Sequence, residues 1–66
     1  MDLHVTGISE GQRVKLQRLA QGLRQVDVAS RAGVTVTDVV YIEKDRFLRP
    51  SVRRRIMVAL GLMTED

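Results

Sequence analysis

The chain has 66 residues, no cysteine, one histidine and a formal net charge of +3, which allows one thin core and excludes a disulfide scaffold and a thiolate metal site. No apolar run is long enough for a signal peptide or a membrane span, so a cytoplasmic protein is expected. Nine of the eleven basic residues are arginine, whose planar fork suits phosphates and base edges, although a mildly basic solvated surface accounts for the same charge.

Residues 1–8, MDLHVTGI, show no helical period and are expected to form an extended or flexible arm. Its Leu3, Val5 and Ile8 either lie on the domain or pair with a second chain. His4 is expected to be solvated, because no second His or Cys completes a metal site; neither metal nor cofactor is expected. Ser9 and Gln12 make a capping box for a helix from Glu10 to about Gln21, stopped at Gly22. Val14, Leu16, Leu19, Ala20 and Leu23 are its apolar residues, with Gln17 and Arg18 interrupting the stripe.

A second helix is predicted from Gln25 to Ala32. Val28 and Ala32 fall one turn apart on its buried face, and Ala29 sits where the next helix crosses closely. Gly33 ends it in the left-handed region. Thr35 is the next N-cap, Asp38 its acidic partner, and Val34 and Val39 hold the two places of a hydrophobic staple. The third helix then runs from about Val36 to Lys44, although VTVTDVVYI is rich in β-branched residues and its first half alternates like a strand. With Val39 and Ile42 inward, Val36, Thr37, Val40 and Tyr41 face outward. Arg24 is a poor N-cap for the second helix, since a guanidinium accepts no hydrogen bond and opposes the helix dipole. A bound phosphate would satisfy the amides and the charge together.

Asp45 to Pro50 is a loop in which Phe47 and Leu48 need a cover. Phe47 either folds back on the core or joins a dimer contact with Leu48, and Arg46 and Arg49 beside them suit phosphate binding. Ser51 is expected to cap a last helix from Val52 to Leu60 with Val52, Ile56, Ala59 and Leu60 in the core. Arg53, Arg54 and Arg55 crowd its first turn and call for a counter-anion, or else form a solvated surface. Gly61 ends it, leaving a stub from Leu62 to Asp66.

The stretch Gln25 to Ile42 resembles the helix-turn-helix proteins of the phage Cro and repressor type. The resemblance rests on Gln25, Val28, Ala29, Ala32, Gly33, Val34, Val39 and Ile42, extends through Arg13 to Leu23 and Ile56 to Leu62, and covers about residues 9 to 62. It implies an all-α domain of four to five short helices, like the lambda-repressor DNA-binding domain, with base contacts from Val36, Thr37, Val40 and Tyr41. Val36 and Val40 would pack on thymine methyls in the major groove, unless they bury against the arm or a protein partner. Phosphate contacts are expected from Arg24, Gln25, Thr35, Lys44, Arg46, Arg49, Arg53 and Arg54. In the family an arginine at the place of Arg18 pairs with an acid at the place of Glu43; two independent surface charges are the other reading. The family's usual Gln or Asn is absent at Val36 and Thr37, and Ser51 stands where an arginine often reaches the minor groove. The short C-terminal stub implies a weak homodimer, strengthened on DNA, built from Phe47, Leu48, Leu62 and Met63.

No acid-base, nucleophilic or glycine-loop constellation is present, so no enzyme and no small-molecule substrate are expected. The implied function is a repressor of a pseudo-palindromic operator on double-stranded DNA. A restriction-system controller, or an antitoxin-like interaction module using Val36, Val40 and Phe47, are the alternatives.

Overall fold

The computed structural model describes residues 7–65, so most of the arm expected over residues 1–8, His4 included, lies outside the described residues. The described chain is all-α: α1 (Glu10–Ala20), α2 (Gln25–Ala32), α3 (Val36–Glu43) and α4 (Pro50–Ala59), with no strand among the described residues.

Local capping chemistry sets the starts of α1 and α3. The Gln12 N–H donates to Ser9 Oγ at 3.1 Å, and Gln12 Oε1 accepts from the Ser9 N–H at 3.0 Å. Thr35 and Asp38 repeat this at 3.1 and 3.0 Å. Such reciprocal bonds satisfy two of the amides a helix start leaves open, enough to hold the β-branched α3 in helix once Val39 and Ile42 are buried. The start of α4 differs from expectation: Pro50 is its first residue, Arg49 its N-cap, and Ser51 lies inside the first turn without capping it. Proline suits that place because its φ is already helical and its missing N–H would have had no partner.

All four helices end alike, with a left-handed residue followed by an N–H that reaches back five positions. The left-handed residues are Gly22, Gly33, Gly61 and, unusually, Asp45 at φ 59°. The closing bonds run from Leu23 to Arg18 O, Val34 to Ala29 O, Arg46 to Tyr41 O and Leu62 to Met57 O, at 2.9 to 3.1 Å. An aspartate in this region is strained, and a tertiary bond holds it: the Gly11 N–H donates to Asp45 Oδ1 at 2.8 Å. Asp45 thus closes α3 and caps α1 at once.

The core is Val14, Val28, Ala29, Val39, Ile42, Ile56, Met57 and Leu60, with Leu23, Ala32, Val34, Leu48, Val52, Leu62 and Met63 packed around it. Two expectations are corrected here. Leu16 and Leu19 are 56% and 53% exposed, and Ala20 is exposed as well. The buried face of α1 is Gly11, Val14 and Arg18, and at about 100° per residue Leu16 and Leu19 point well away from it. In α4, Met57 is buried beside Ile56, while Val52 and Ala59 are only half-buried.

Gly11 explains how closely α1 approaches the end of α3. A Cβ there would lie 2.5 Å from the Ile42 carbonyl oxygen and 2.7 Å from that of Glu43, distances no side chain tolerates without backbone movement. Gln17, an interruption in the α1 stripe, donates to Leu60 O at 3.1 Å, and Gln21 donates to the same oxygen at 2.9 Å. The polar residues of α1 therefore clamp the end of α4.

Candidate nucleic-acid interface

The helices α2 and α3 are joined by the tight turn at Gly33 and Val34, and α3 is fixed from behind. Arg18 Nε donates to Glu43 Oε2 at 2.6 Å and Arg18 Nη2 to Glu43 Oε1 at 3.1 Å. The two side chains are 9% and 5% exposed. Arg18 Nη1 also donates to Leu23 O at 3.0 Å, and Gln25 Nε2 donates to Glu43 Oε1 at 3.1 Å. The Glu43 carboxylate at the end of α3 thus ties α1 to the start of α2, and Arg18 adds the loop between them. A buried pair of this kind specifies geometry more than it stabilises, because desolvation offsets most of the attraction. Gln25, whose place in the resembled family implies either a phosphate contact or a brace on the third helix, has its amide donor on Glu43 and braces α3.

Pinned on that side, α3 turns the other toward solvent. Val36 and Tyr41 are 40% and 39% exposed, Thr37 is exposed and Val40 half-buried. The Arg46 guanidinium lies 5.4 Å from the Tyr41 ring centroid, within cation–π range. Beyond Tyr41, an open groove of about 450 Å³ is lined by Asp38, Tyr41, Phe47, Leu48, Arg49 and Val52. The outer face of α3 is therefore continuous with the loop that carries Arg46, Phe47 and Arg49.

The expected phosphate ligands separate into engaged and unengaged groups. Asp27 accepts from the Arg24 N–H at 2.8 Å and from its guanidinium at 3.0 Å. The unfavourable arginine at the start of α2 thus already has its counter-anion. Those bonds, the Arg24 side chain's first and its backbone N–H next, hold the Asp27 carboxyl down at about 2. Arg53 pairs with Glu10 through both carboxylate oxygens, with Nε to Oε1 at 2.8 Å, and this bond also lowers the Glu10 carboxyl. Arg54 donates to the Glu65 carbonyl oxygen at 2.8 Å, and Arg55 donates to Gly33 O at 3.4 Å. Of the arginine run on α4, Arg53 has its counter-anion within the chain, while Arg54 and Arg55 meet only neutral acceptors among the described residues. Thr35 has its hydroxyl on the Asp38 amide. Lys44, Arg46 and Arg49 are exposed and form no ion pair among the described residues.

Of the residues expected at a dimer contact, Phe47 is 83% exposed, so it does not fold back on the core. Leu48, Leu62 and Met63 instead pack against the core. Sequence reasoning missed Gly11 and Asp45, whose only signal was a glycine inside a helix and an aspartate just past one. Among the described residues no cluster of three His, Cys, Asp or Glu is placed to hold a metal ion, and no helix is long and apolar enough to cross a membrane. Comparison with family models, curated proteins and solved structures gives no match to this chain.

Proposed function

We propose that this chain is a sequence-specific DNA-binding transcriptional regulator, working as the resembled phage Cro-type repressors do by occupying an operator and excluding polymerase in the cytoplasm. The observation that carries this reading is the outer face of α3, where Val36, Thr37 and Tyr41 are exposed and Val40 half-buried, beside Arg46 and Arg49. An α-helix docked in a major groove needs such a face, held rigidly from behind and bordered by cations for the phosphates.

Arg46, Arg49 and Lys44 are the first choices for phosphate contact, since Arg24, Arg53 and Arg54 already have partners within the chain. Phe47 supplies the apolar centre of a weak two-fold contact formed on DNA, and catalysis has no part in the function. Selection of bound sequences from random duplex DNA tests the proposal. The expected product is a pseudo-palindrome with half-sites about one helical turn apart, bound with an affinity that falls steeply as salt rises. No enrichment, or binding indifferent to salt, would favour an apolar protein partner on the same face.

A further inference from the structure

We infer that α3 discriminates base pairs through the 5-methyl group of the pyrimidine, so that thymine and 5-methylcytosine are accepted at the contacted positions while uracil and unmethylated cytosine are disfavoured. This deepens the DNA-binding reading and rests on it.

In the major groove each base pair displays hydrogen-bonding atoms and, for thymine, a methyl group. Amide and guanidinium side chains read the former in pairs, and carboxylates accept from cytosine. Around α3 most side chains of those kinds are turned to other tasks; Arg49, which is unengaged, sits on the loop past α3 beside the Tyr41 groove, not on α3 itself. Asp38 accepts from the Thr35 N–H, the Gln25 amide donates to Glu43, and the Arg24 guanidinium is on Asp27. The Thr35 hydroxyl accepts from the Asp38 N–H, and Arg46 lies over the Tyr41 ring. What α3 presents outward is the branched methyls of exposed Val36 and half-buried Val40, the methyl and hydroxyl of Thr37, and the Tyr41 ring with its hydroxyl.

Such a surface cannot form the two-pronged bonds that separate guanine from adenine. It gains most where an apolar group projects into the groove to meet it, and a pyrimidine 5-methyl is the group that does so. Because the contact is made to carbon, the identity of the base bearing the methyl matters less than its presence. The cations beside this face, Arg46 and Arg49, match a phosphate backbone, which commits the face to duplex DNA as its occupant.

The test takes a duplex enriched by the random selection and replaces each thymine of the half-site in turn by deoxyuridine, then replaces the same T·A pairs by C·G and by 5-methyl-C·G. Removing one contacted methyl is expected to weaken binding about fourfold, the equivalent of one buried CH₂, and 5-methylcytosine is expected to recover most of what cytosine loses. Val36→Ala, at an exposed position that leaves folding intact, should shrink the thymine-to-uracil ratio at one base step without changing the ratio elsewhere. Equal binding of thymine and uracil duplexes at every position would overturn the inference while leaving sequence-specific binding in place. Failure to enrich any duplex would instead remove the DNA-binding reading and the inference with it.

Discussion

Replacing Arg18 by methionine would leave the Glu43 carboxylate buried with a single remaining donor, the Gln25 amide at 3.1 Å. The substitution removes two charge-assisted bonds, at 2.6 and 3.1 Å, together with the compensating charge, and it strips the Leu23 carbonyl of its donor. Breaking one side of a buried pair costs about 3 to 5 kcal/mol. A domain of this length is stable by only about 3 to 10 kcal/mol in total, so Arg18→Met is expected at the edge of unfolding. Replacing both partners, Arg18→Met with Glu43→Leu, removes both desolvated charges and is expected to lie within about 2 kcal/mol of the parent. Urea unfolding followed by far-ultraviolet circular dichroism, with unchanged slope, measures four proteins: the parent, each single variant and the double variant. If Arg18→Met lost under about 1 kcal/mol and the double variant lost the sum of its parts, the pair would be a solvated surface contact and the bracing of α3 described above would be wrong.

Gly11→Ala places a methyl against two carbonyl oxygens and is expected to lower stability by about 2 to 3 kcal/mol, or roughly 10 °C or more in Tm; an unchanged melting curve would show that α1 and the end of α3 stand further apart. The Asp27 carboxyl, at about 2 when folded against an ordinary 3.8, gives stability that is complete above about pH 5 and disappears as pH falls through about 4 towards 2. The lowered carboxyl of Asp45, held by Ser9 and the Gly11 amide, acts with the same sign. Asp27→Asn should therefore flatten the acid side of the stability curve, and an unaltered acid slope would refute the assignment. On DNA, Arg49→Ala is expected to weaken all duplexes alike and to reduce the salt slope by about one, whereas Thr37→Ala relaxes base preference; equal effects of both on cognate and random duplexes would contradict the division of roles.

The central motif was legible because its signals are local. A cap, an acid three residues on, a staple and a terminal glycine lie within a few positions of each other, and the limits of α2 and the start of α3 follow from them. Local signals misled where two of them compete, as at Ser51, which looks like a cap while the preceding proline already occupies the first helical place. The α1 stripe was misjudged because its buried face includes a glycine and an ion-paired arginine, so counting apolar residues pointed to Leu16 and Leu19 instead. Partners distant in sequence left no trace at all: Arg53 with Glu10 and Gly11 with Asp45 meet only once α1, α3 and α4 have packed. That is also why the sequence shows no intramolecular counter-anion for Arg53.

The side chains that hold α3 in position and those that it offers outward belong to separate sets. Val39, Ile42 and Glu43 face the body of the protein, and Thr35 and Asp38 are occupied with each other, while among the described residues Val36, Thr37 and Tyr41 contribute no side-chain hydrogen bond. A descendant of this chain can therefore exchange its outward residues a few at a time, and under the proposed function acquire a different target, while remaining foldable at each step. The outer residues can change without disturbing the frame, provided the brace behind it is left alone.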